Sequence, residues 1–198
     1  MRPGGHPCRP GSYIACNHDG RNTKRRRMWQ MSGIRYRNMS SGDLAAVMAV
    51  QAEAYGDGFI EGIDVIAARL EAAPKTAWVA EDGSGVCAYL VGYPSVAGRM
   101  TALGGPFRVA LEPDCLYLHD LAVSPRSAGL RIGPSLVRNA LAFAEGAQLK
   151  SSALVSVQAS KAFWLRQGYC VAMPVAEESA KLESYPGDAV YMARRLGP

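Results

Sequence analysis

Residues 116–144, LYLHDLAVSPRSAGLRIGPSLVRNALAFA, constrain the fold more than any other part of the chain. The stretch begins as an apolar strand from Leu116 to Val123 and ends as an amphipathic helix from about Pro134 to Ala144. Between strand and helix lies SPRSAGLRIG, a loop with two glycines and two arginines. A strand followed by a glycine-bearing loop and a helix start is how many proteins present backbone N–H groups to a phosphate. The stretch therefore predicts an anion site in an α/β domain.

The length and composition are those of one globular domain. The chain has 198 residues, of which 48% are apolar and 20% are charged, and a domain of this size can bury a substantial core. No apolar run approaches the ~20 residues that a membrane-spanning helix needs. Five scattered cysteines in a chain that lacks a secretory signal favour a reducing compartment. We therefore expect a soluble, cytoplasmic protein with no membrane partner.

The positive charge of the chain is confined to its N-terminal segment. Residues 1–30 hold seven basic residues and one acidic residue, a net charge of +6, so residues 31–198 carry −1 of the total of +5. The segment is rich in Gly, Pro, Asn and Arg and lacks apolar periodicity, which indicates a disordered basic tail. Because the remainder is close to neutral, the sequence gives no electrostatic reason to expect a nucleic-acid partner outside this tail.

Three interpretations of residues 1–30 remain open. The first is an artefactual extension with translation starting at Met31, because a strand-like pattern follows at once. The second is that KRRR (24–27) binds nucleic acid or serves as an address. The third is a zinc site, with four candidate ligands whose spacing fits no common site: His6, Cys8, Cys16 and His18. We favour the first and predict that residues 1–30 can be deleted without loss of fold or activity.

The rest of the chain alternates between strand and helix patterns. Strands are predicted at 34–39, 76–81, 86–94, 116–123, 152–157, 169–173 and 189–194, and helices at 42–54, 61–72, 134–144 and 160–167. The Asp-Gly of DGSG between the second and third strands is a hairpin signal, whereas the later β-α-β unit should be parallel. The predicted fold class is α/β (α+β), a single domain over 31–198. Its mixed, mostly antiparallel sheet of about seven strands is flanked by about four helices.

Two segments, in this order, resemble the GNAT superfamily of acyl-CoA-dependent N-acetyltransferases. The first is HDLAVSP with its loop and helix. The second is SKAFWLRQGY, in which Ser160, Phe163, Trp164, Gly168 and Tyr169 fit the pattern S-x-x-F-W-x-x-x-G-[FY]. The resemblance extends over about 34–195. It implies a GNAT-like fold in which loop N–H groups hold the pyrophosphate of coenzyme A and the pantetheine arm pairs with the strand before the loop.

The resemblance implies a set of residues that bind acetyl-CoA as a co-substrate, without a metal. The strand and loop positions are Leu121, Ala122, Val123, Ala128, Gly129, Leu130, Arg131, Ile132, Gly133 and Pro134, and the later positions are Ser160, Phe163 and Trp164.

The loop departs from the family pattern Q/R-x-x-G-x-G/A. Anchoring on Pro125 and the helix places Ala128 at the basic position, Arg131 at the first glycine and Gly133 at the second. An alternative register starts at Arg126 and needs a two-residue insertion before the helix. We prefer the first register. We expect the altered loop still to bind pyrophosphate, because backbone N–H groups make most of the contacts to it.

Amine acetylation needs a base that removes a proton from the acceptor. Strict alternation along LYLHDLAV puts Tyr117, His119 and Leu121 on one face of the strand, and Leu118, Asp120 and Ala122 on the other. Imidazole suits proton transfer near neutral pH, and some amine acetyltransferases of the family that the chain resembles have polar or histidine residues at the sites matching Tyr117 and His119. We expect His119 to be the base with Tyr117 beside it. Asp120 is either a structural carboxylate or, if a bulge reverses its facing, the base itself.

Two functions from different classes fit the sequence. The first is an N-acetyltransferase that moves an acetyl group from acetyl-CoA to a primary amine of a small molecule or peptide. The second is a catalytically degenerate acyl-CoA-binding domain that acts as a sensor or scaffold. The second is favoured by Ala128, Arg131 and Trp164, since the family often has a tyrosine at 164 to protonate the thiolate. The loop 95–114 and three aromatic residues, Tyr89, Tyr93 and Phe107, are candidate walls of the acceptor pocket. Many relatives form homodimers, and the sequence alone does not decide this point.

Overall fold

The computed structural model describes residues 33–55 and 59–197. The strands are β1 (Arg35–Asn38), β2 (Ala77–Asp82), β3 (Gly85–Ser95), β4 (Cys115–Val123), β5 (Ser151–Ser156), β6 (Cys170–Val171) and β7 (Val190–Arg195). The α-helices are α1 (Leu44–Ala54), α2 (Ile63–Ala72), α3 (Ile132–Gly146) and α4 (Lys161–Arg166). Short 3₁₀ segments occur at Ser41–Asp43, Pro74–Thr76, Pro125–Ser127 and Ala176–Ser184. The predicted elements are all present, and the last 3₁₀ segment was not predicted.

The strands form one sheet in the order β1-β2-β3-β4-β5-β7-β6. Every neighbouring pair is antiparallel except β4 and β5, which are parallel and joined by α3. Asp82 pairs with Gly85 across the DGSG turn, so the predicted hairpin is confirmed. The α/β fold class, with a mixed and mostly antiparallel sheet of seven strands, is confirmed as well.

The parallel strands β4 and β5 separate halfway along their length. They pair from Cys115 with Ser151 to Leu118 with Leu154, and residues 119–123 of β4 have no partner on β5. The unpaired half of β4 therefore borders a gap in the middle of the sheet. Backbone N–H and C=O groups along such a gap are available to an extended ligand that takes the place of a strand.

A β-bulge interrupts the pairing of β3 with β4 at His119. Val91 pairs with Asp120 and Gly92 pairs with Leu118, so His119 is the extra residue of β4. As a result Asp120 and Ala122 lie on the same face as Tyr117 and His119, whereas Leu121 lies on the face of Leu118. The predicted strict alternation is therefore wrong beyond residue 119. The bulge gathers His119 and Asp120 on one side of the sheet.

The two faces of the sheet have separate hydrophobic cores. One core includes Leu118, Leu136 of α3 and Trp164 of α4, and the other includes Val47 of α1 and Ile66 of α2. Burial of the apolar side chains that these helices turn toward the sheet accounts for their positions against it.

The buried face of α2 includes a charged residue. Ile66, Leu70 and Arg69 are buried, whereas Ile63 is 45% exposed. A buried arginine needs a partner, and the partner of Arg69 belongs to the site described below.

The predictions for the N-terminal tail lie outside the described residues, including the zinc, nucleic-acid and start-site interpretations. Within residues 33–55 and 59–197, none of the helices combines the length and the apolar character required to cross a bilayer.

Candidate functional site

The helix α3 begins at an unusual residue. Arg131 caps the helix with φ of 57° and ψ of 27°, in the left-handed region, and Gly129 has φ of 80°. Glycine adopts this conformation freely, whereas other residues are disfavoured there by about 1–2 kcal/mol. The backbone at Arg131 is thus of the kind that suits a glycine, consistent with the register that places Arg131 at the first glycine of the family pattern.

The start of α3 presents backbone donors. Within the loop, the N–H groups of Ala128 and Leu130 donate to the carbonyls of Pro125 and Ser127, at 3.1 and 3.4 Å. The N–H groups of Ile132 and Gly133 lie in the first turn, where a helix offers no internal acceptor. They lie at the N-terminus of α3, which is the positive end of the helix dipole and favours an anion.

A cavity of about 1580 Å³ opens beside these donors, between the start of α3, the end of α4 and the end of β7. Five arginines line it: Arg131, Arg138, Arg166, Arg194 and Arg195. The volume and the positive charge suit a nucleotide with several phosphates. Four of these arginines were missed in the sequence. Arg138 lies two helical turns after Arg131, which is a usable signal, whereas the other three are assembled only by the fold.

Arg126 has a structural role in this loop. Its guanidinium donates to the Asp82 carboxylate at 2.7 and 3.0 Å and to the carbonyl of Val86 at 2.9 Å. These bonds tie the loop to the β2–β3 hairpin. Because Arg126 is engaged there, the alternative register that uses it as the basic residue of the loop is disfavoured.

A second cavity, of about 300 Å³, passes through the gap between β4 and β5. Leu118, Leu154 and Trp164 line it from one face of the sheet, and Tyr55 and Asp120 line it from the other. Val123, Gly133 and Phe163 line both cavities, so the two adjoin each other.

Most of the residues predicted to bind the cofactor line one or both of the two cavities. The first cavity is lined by Ala128, Gly129, Arg131, Ile132 and Pro134, the second by Leu121, Ala122, Ser160 and Trp164, and both by Val123, Gly133 and Phe163. Leu130 lines neither of these two cavities, and it is 53% exposed. Leu130 is therefore better described as a solvent-facing loop residue.

His119 lines the second cavity and is almost completely enclosed by protein. Its side chain is 2% exposed, and its ring packs against those of Phe107, Tyr117 and Tyr185 at centroid distances of 5.5, 6.2 and 6.5 Å. The Nε2 atom lies 3.5 Å from Oε2 of Glu61. The Nδ1 atom is buried and has no hydrogen-bond partner among the described residues. A buried, unpaired ring nitrogen beside a cavity is a candidate acceptor for a substrate proton.

Glu61 is a buried carboxylate held by several donors. The guanidinium of Arg69 binds it through both oxygens, and the N–H of Gly104 donates to Oε1 at 2.7 Å. Burial opposes ionisation of Glu61, but hydrogen bonds from His119 and Arg69 outweigh burial and hold its pKa at about 2. Glu61 is therefore charged at neutral pH.

Asp120 lies partly buried beside His119, and two tyrosines hold it. The hydroxyls of Tyr55 and Tyr89 each donate to one of its oxygens, and the Tyr55 hydroxyl also lies 2.9 Å from the carbonyl oxygen of Leu121. Burial raises the pKa of Asp120, although the two hydroxyls oppose this shift. Burial also raises the pKa of Tyr55 and of Tyr89 well above the usual range. The two tyrosines therefore remain protonated donors.

Tyr117 lies in the core rather than in the cavity. Its ring is fully buried 5.5 Å from that of Tyr93, and burial raises its pKa well above the usual range. Tyr89, Tyr93 and Phe107 are buried too, so these candidate walls of the acceptor pocket belong to the core. Tyr117 packs against the ring of His119, because both side chains lie on the same face of β4.

Three polar residues of the site were missed in the sequence: Tyr55, Glu61 and Arg69. Tyr55 directly follows α1 and Glu61 precedes α2, in segments that carry no recognisable motif. Glu61 and Arg69 are eight residues apart, about two helical turns, which is the only local hint that they meet. No group of three or more His, Cys, Asp or Glu side chains in residues 33–55 and 59–197 could hold a metal ion.

These features together define a class of protein. A separated parallel strand pair, donors at a helix start and a cationic cavity are the features that the resemblance stated from the sequence leads us to expect of a GNAT fold. A family model described as the acetyltransferase (GNAT) family matches residues 44–169, and the chain belongs to this family. The resemblance stated from the sequence is thus confirmed. No curated protein matches the chain.

Solved structures share the fold at low sequence identity. The GphF GNAT-like decarboxylase in complex with isobutyryl-CoA is 16% identical over 82% of this chain and all (100%) of its own, with a TM-score of 0.68. The ribosomal-protein-S18-alanine N-acetyltransferase from Escherichia coli is 16% identical, covering 83% of this chain and 95% of its own, with a TM-score of 0.60. A GNAT family acetyltransferase from Brucella melitensis in complex with acetyl-CoA is 20% identical, covering 83% and 89%, with a TM-score of 0.54.

Proposed function

We propose that the protein is an N-acetyltransferase that moves the acetyl group of acetyl-CoA to a primary amine of a small molecule or peptide, by direct transfer within a ternary complex. One observation carries the proposal. The cationic cavity beside α3 adjoins a narrow cavity that crosses the sheet and ends at His119 and Asp120. A phosphate site joined to a narrow channel that ends at proton-transfer groups fits an acyl thioester on a long arm.

The residues of the first cavity supply binding. The N–H groups of Ile132 and Gly133 receive the pyrophosphate, and the five arginines complement the remaining phosphate charge. Arg131 lines the cavity, and its guanidinium contacts a phosphate. Its backbone already has the left-handed conformation that the loop requires. The unpaired half of β4 pairs with the amide groups of the arm.

The residues of the second cavity supply proton transfer and stabilise the leaving group. Nδ1 of His119 accepts a proton from the acceptor ammonium, which frees the nitrogen lone pair. Trp164 cannot protonate the thiolate, since indole is no acid in this range, and Tyr55 instead stabilises the leaving sulfur by a hydrogen bond. As negative charge develops on sulfur, the hydroxyl hydrogen of Tyr55 turns from Asp120 toward it. The high pKa of Tyr55 means that it donates a hydrogen bond and keeps its proton.

The proposed reaction is balanced in atoms and charge. The amine nitrogen forms a bond to the acetyl carbon, and the bond from that carbon to sulfur breaks. Of the two protons that the ammonium loses, one reaches solvent by way of His119 and the other ends on the sulfur. The products are the amide, the free thiol and one proton.

A catalytically degenerate acyl-CoA-binding domain is the second candidate. It is favoured by Trp164 at the position where the family often has tyrosine, and by Arg131 in place of glycine. Both candidates bind acetyl-CoA, and only the first releases thiol when an amine is added. We also propose a cytoplasmic location, consistent with the free thiols of Cys87, Cys115 and Cys170.

The test begins with calorimetric titration of acetyl-CoA into the full chain, beside desulfo-CoA and the Arg131→Gly variant. We expect one site with a micromolar Kd and weaker binding by Arg131→Gly, because the guanidinium contacts phosphate. Tighter binding by the variant would identify Arg131 as an obstruction. A panel of amines is then screened for thiol release.

His119→Ala is expected to lower kcat by about 10²–10⁴-fold while acetyl-CoA still binds. Binding without turnover on any amine would favour the degenerate domain. The absence of any binding would refute both candidates.

A further inference from the structure

The environment of His119 distinguishes its two ring nitrogens. Nε2 faces the carboxylate of Glu61 at 3.5 Å, whereas Nδ1 has no partner among the described residues. A neutral imidazole carries one hydrogen, which serves as a donor, and leaves the other nitrogen as an acceptor. A carboxylate accepts only, so it favours the hydrogen on the nitrogen that faces it. The arrangement therefore selects the tautomer in which Nδ1 has the free lone pair.

Glu61 is itself fixed in place and in charge. Arg69 binds both of its oxygens, and Arg69 in turn donates to the carbonyl of Gly105 at 2.9 and 3.1 Å and lies 5.0 Å from the ring centroid of Phe107. The side-chain amide of Gln51 exchanges two hydrogen bonds with the backbone of Glu61, at 2.9 and 3.0 Å. The carboxylate therefore has little freedom to move away from His119.

Among the described residues, the ionisable groups that face His119 belong to a small set. Glu61 and Arg69 face it from the α2 side, Asp120 and Tyr117 from its own strand, and Tyr185 from the segment after the last 3₁₀ turn. Of these, Glu61 is the one whose carboxylate faces a ring nitrogen directly.

We propose that Glu61, backed by Arg69, is a positioning residue that holds His119 in the Nε2–H tautomer and presents Nδ1 as the proton acceptor. When Nδ1 takes a proton from the acceptor ammonium, the ring becomes a cation, and the adjacent Glu61 carboxylate stabilises that charge. No covalent bond to Glu61 forms or breaks. The role of Nδ1 as the base rests on the proposed acetyl transfer, whereas the tautomer is a property of the protein alone.

Nuclear magnetic resonance of the imidazole nitrogens tests the tautomer without any substrate. The chain has three histidines, His6, His18 and His119, and the signals missing from His119→Gln identify those of His119. In the full-length protein above neutral pH we expect Nε2 to carry the hydrogen. In Glu61→Gln, whose amide can donate as well as accept, we expect a mixture of tautomers. A wild-type ring with the hydrogen on Nδ1 would overturn the proposal, whatever the Glu61 variants show.

Kinetics test the consequence for the reaction. Glu61→Gln should lower kcat at least about 10-fold, leave the KM for acetyl-CoA within about twofold, and move the acidic limb of the pH–rate profile to lower pH. The limb moves because a cationic ring loses the neighbouring negative charge. Glu61→Asp keeps the charge, so its kcat should lie between those of Glu61→Gln and the wild type, and its pH profile should resemble that of the wild type. This second variant also keeps the test decisive if Glu61→Gln folds poorly.

Asp43→Asn is the matched control. Asp43 is another buried carboxylate bound by an arginine, with two bonds of 2.7 Å to Arg37, and it lies outside the two cavities. Its variant should be less stable, with kcat and the pH limb unchanged.

A Glu61→Gln enzyme with wild-type kcat, pH limb and tautomer would show that Glu61 only supports the fold. If no amine is acetylated but the tautomer changes as expected, the positioning role holds and the proposed acetyl transfer fails.

Discussion

At the scale of single residues, the two tyrosines that donate hydrogen bonds to Asp120 differ in their access to the second cavity. Tyr55 and Tyr89 both donate to its carboxylate, yet only Tyr55 of the two lines the cavity that crosses the sheet. The two hydroxyls therefore have the same partner but different access to a ligand. This difference allows a structural contribution to be separated from a catalytic one.

Tyr55→Phe should lower kcat by about 10–10²-fold with acetyl-CoA, because the leaving thiolate loses a hydrogen bond in a poorly hydrated cavity. The KM for acetyl-CoA should change little. The measurement compares wild type and variant with acetyl-CoA and with an aryl thioacetate, whose more acidic thiol leaves without help. The ratio of the wild-type rate to the variant rate should be smaller with the aryl thioacetate than with acetyl-CoA.

Tyr89→Phe serves as the control, since it removes a hydrogen bond to the same carboxylate from the buried side. It should lower stability and reduce kcat less than Tyr55→Phe does. If both variants lose equal activity, or if the aryl thioester shows the same ratio as acetyl-CoA, Tyr55 acts through Asp120 and does not contact the sulfur.

At the scale of secondary-structure elements, the β-bulge in β4 organises the site. It adds His119 to the strand opposite the Val91–Gly92 step and turns Asp120 to the same face. Gly92 permits the close approach of the two strands at this step. A Cβ at Gly92 would lie 2.4 Å from the carbonyl oxygen of Tyr117 and 3.2 Å from Cα of Leu118. The absence of a side chain at 92 is therefore a condition for this bulge.

Gly92→Ala should destabilise the protein by roughly 1–3 kcal/mol, because the clash is with backbone atoms and the strands must move apart. The displacement should also lower kcat, since it shifts His119 relative to Glu61. Chemical denaturation measures the first effect and thiol release measures the second.

Gly83→Ala is the control, in the turn between β2 and β3, where an added Cβ meets no atom within 4 Å. It should change stability by less than about 0.5 kcal/mol. Wild-type stability and activity in Gly92→Ala would mean that the strand pair tolerates a side chain at the bulge.

At the scale of the whole molecule, the two cores account for the fold. The buried apolar residues that pack on the two faces of the sheet extend from Ile34 to Leu196. All seven strands and both cavities are built from the same part of the chain. The basic charge, in contrast, is concentrated in residues 1–30.

Deletion of residues 1–30 should therefore leave fold and activity intact. We expect the 31–198 chain to melt within about 2 °C of the full chain and to bind acetyl-CoA with a Kd within about twofold. Thermal unfolding and calorimetry on the two proteins make the comparison. A 31–198 chain that is unfolded, or that binds much more weakly, would assign the tail a role in the domain.

The sequence by itself determined the class of the fold, and it predicted the segment in which we propose the anion site. The strand 116–123, the loop and the helix after it are encoded locally, by apolar periodicity, glycines and a helix start, and such patterns survive without knowledge of distant residues. The DGSG hairpin is local in the same sense.

Only the tertiary structure determined which polar groups meet at His119 and Asp120. The bulge at His119 depends on how β3 and β4 pair, and no single strand contains that information. Glu61 reaches His119 across 58 positions of sequence, and Tyr55 reaches Asp120 across 65, because Tyr55 after α1 and Glu61 before α2 both lie against β4 in the fold. Buried charges and hydroxyls need partners, and the fold alone determines which distant groups lie close enough to provide them.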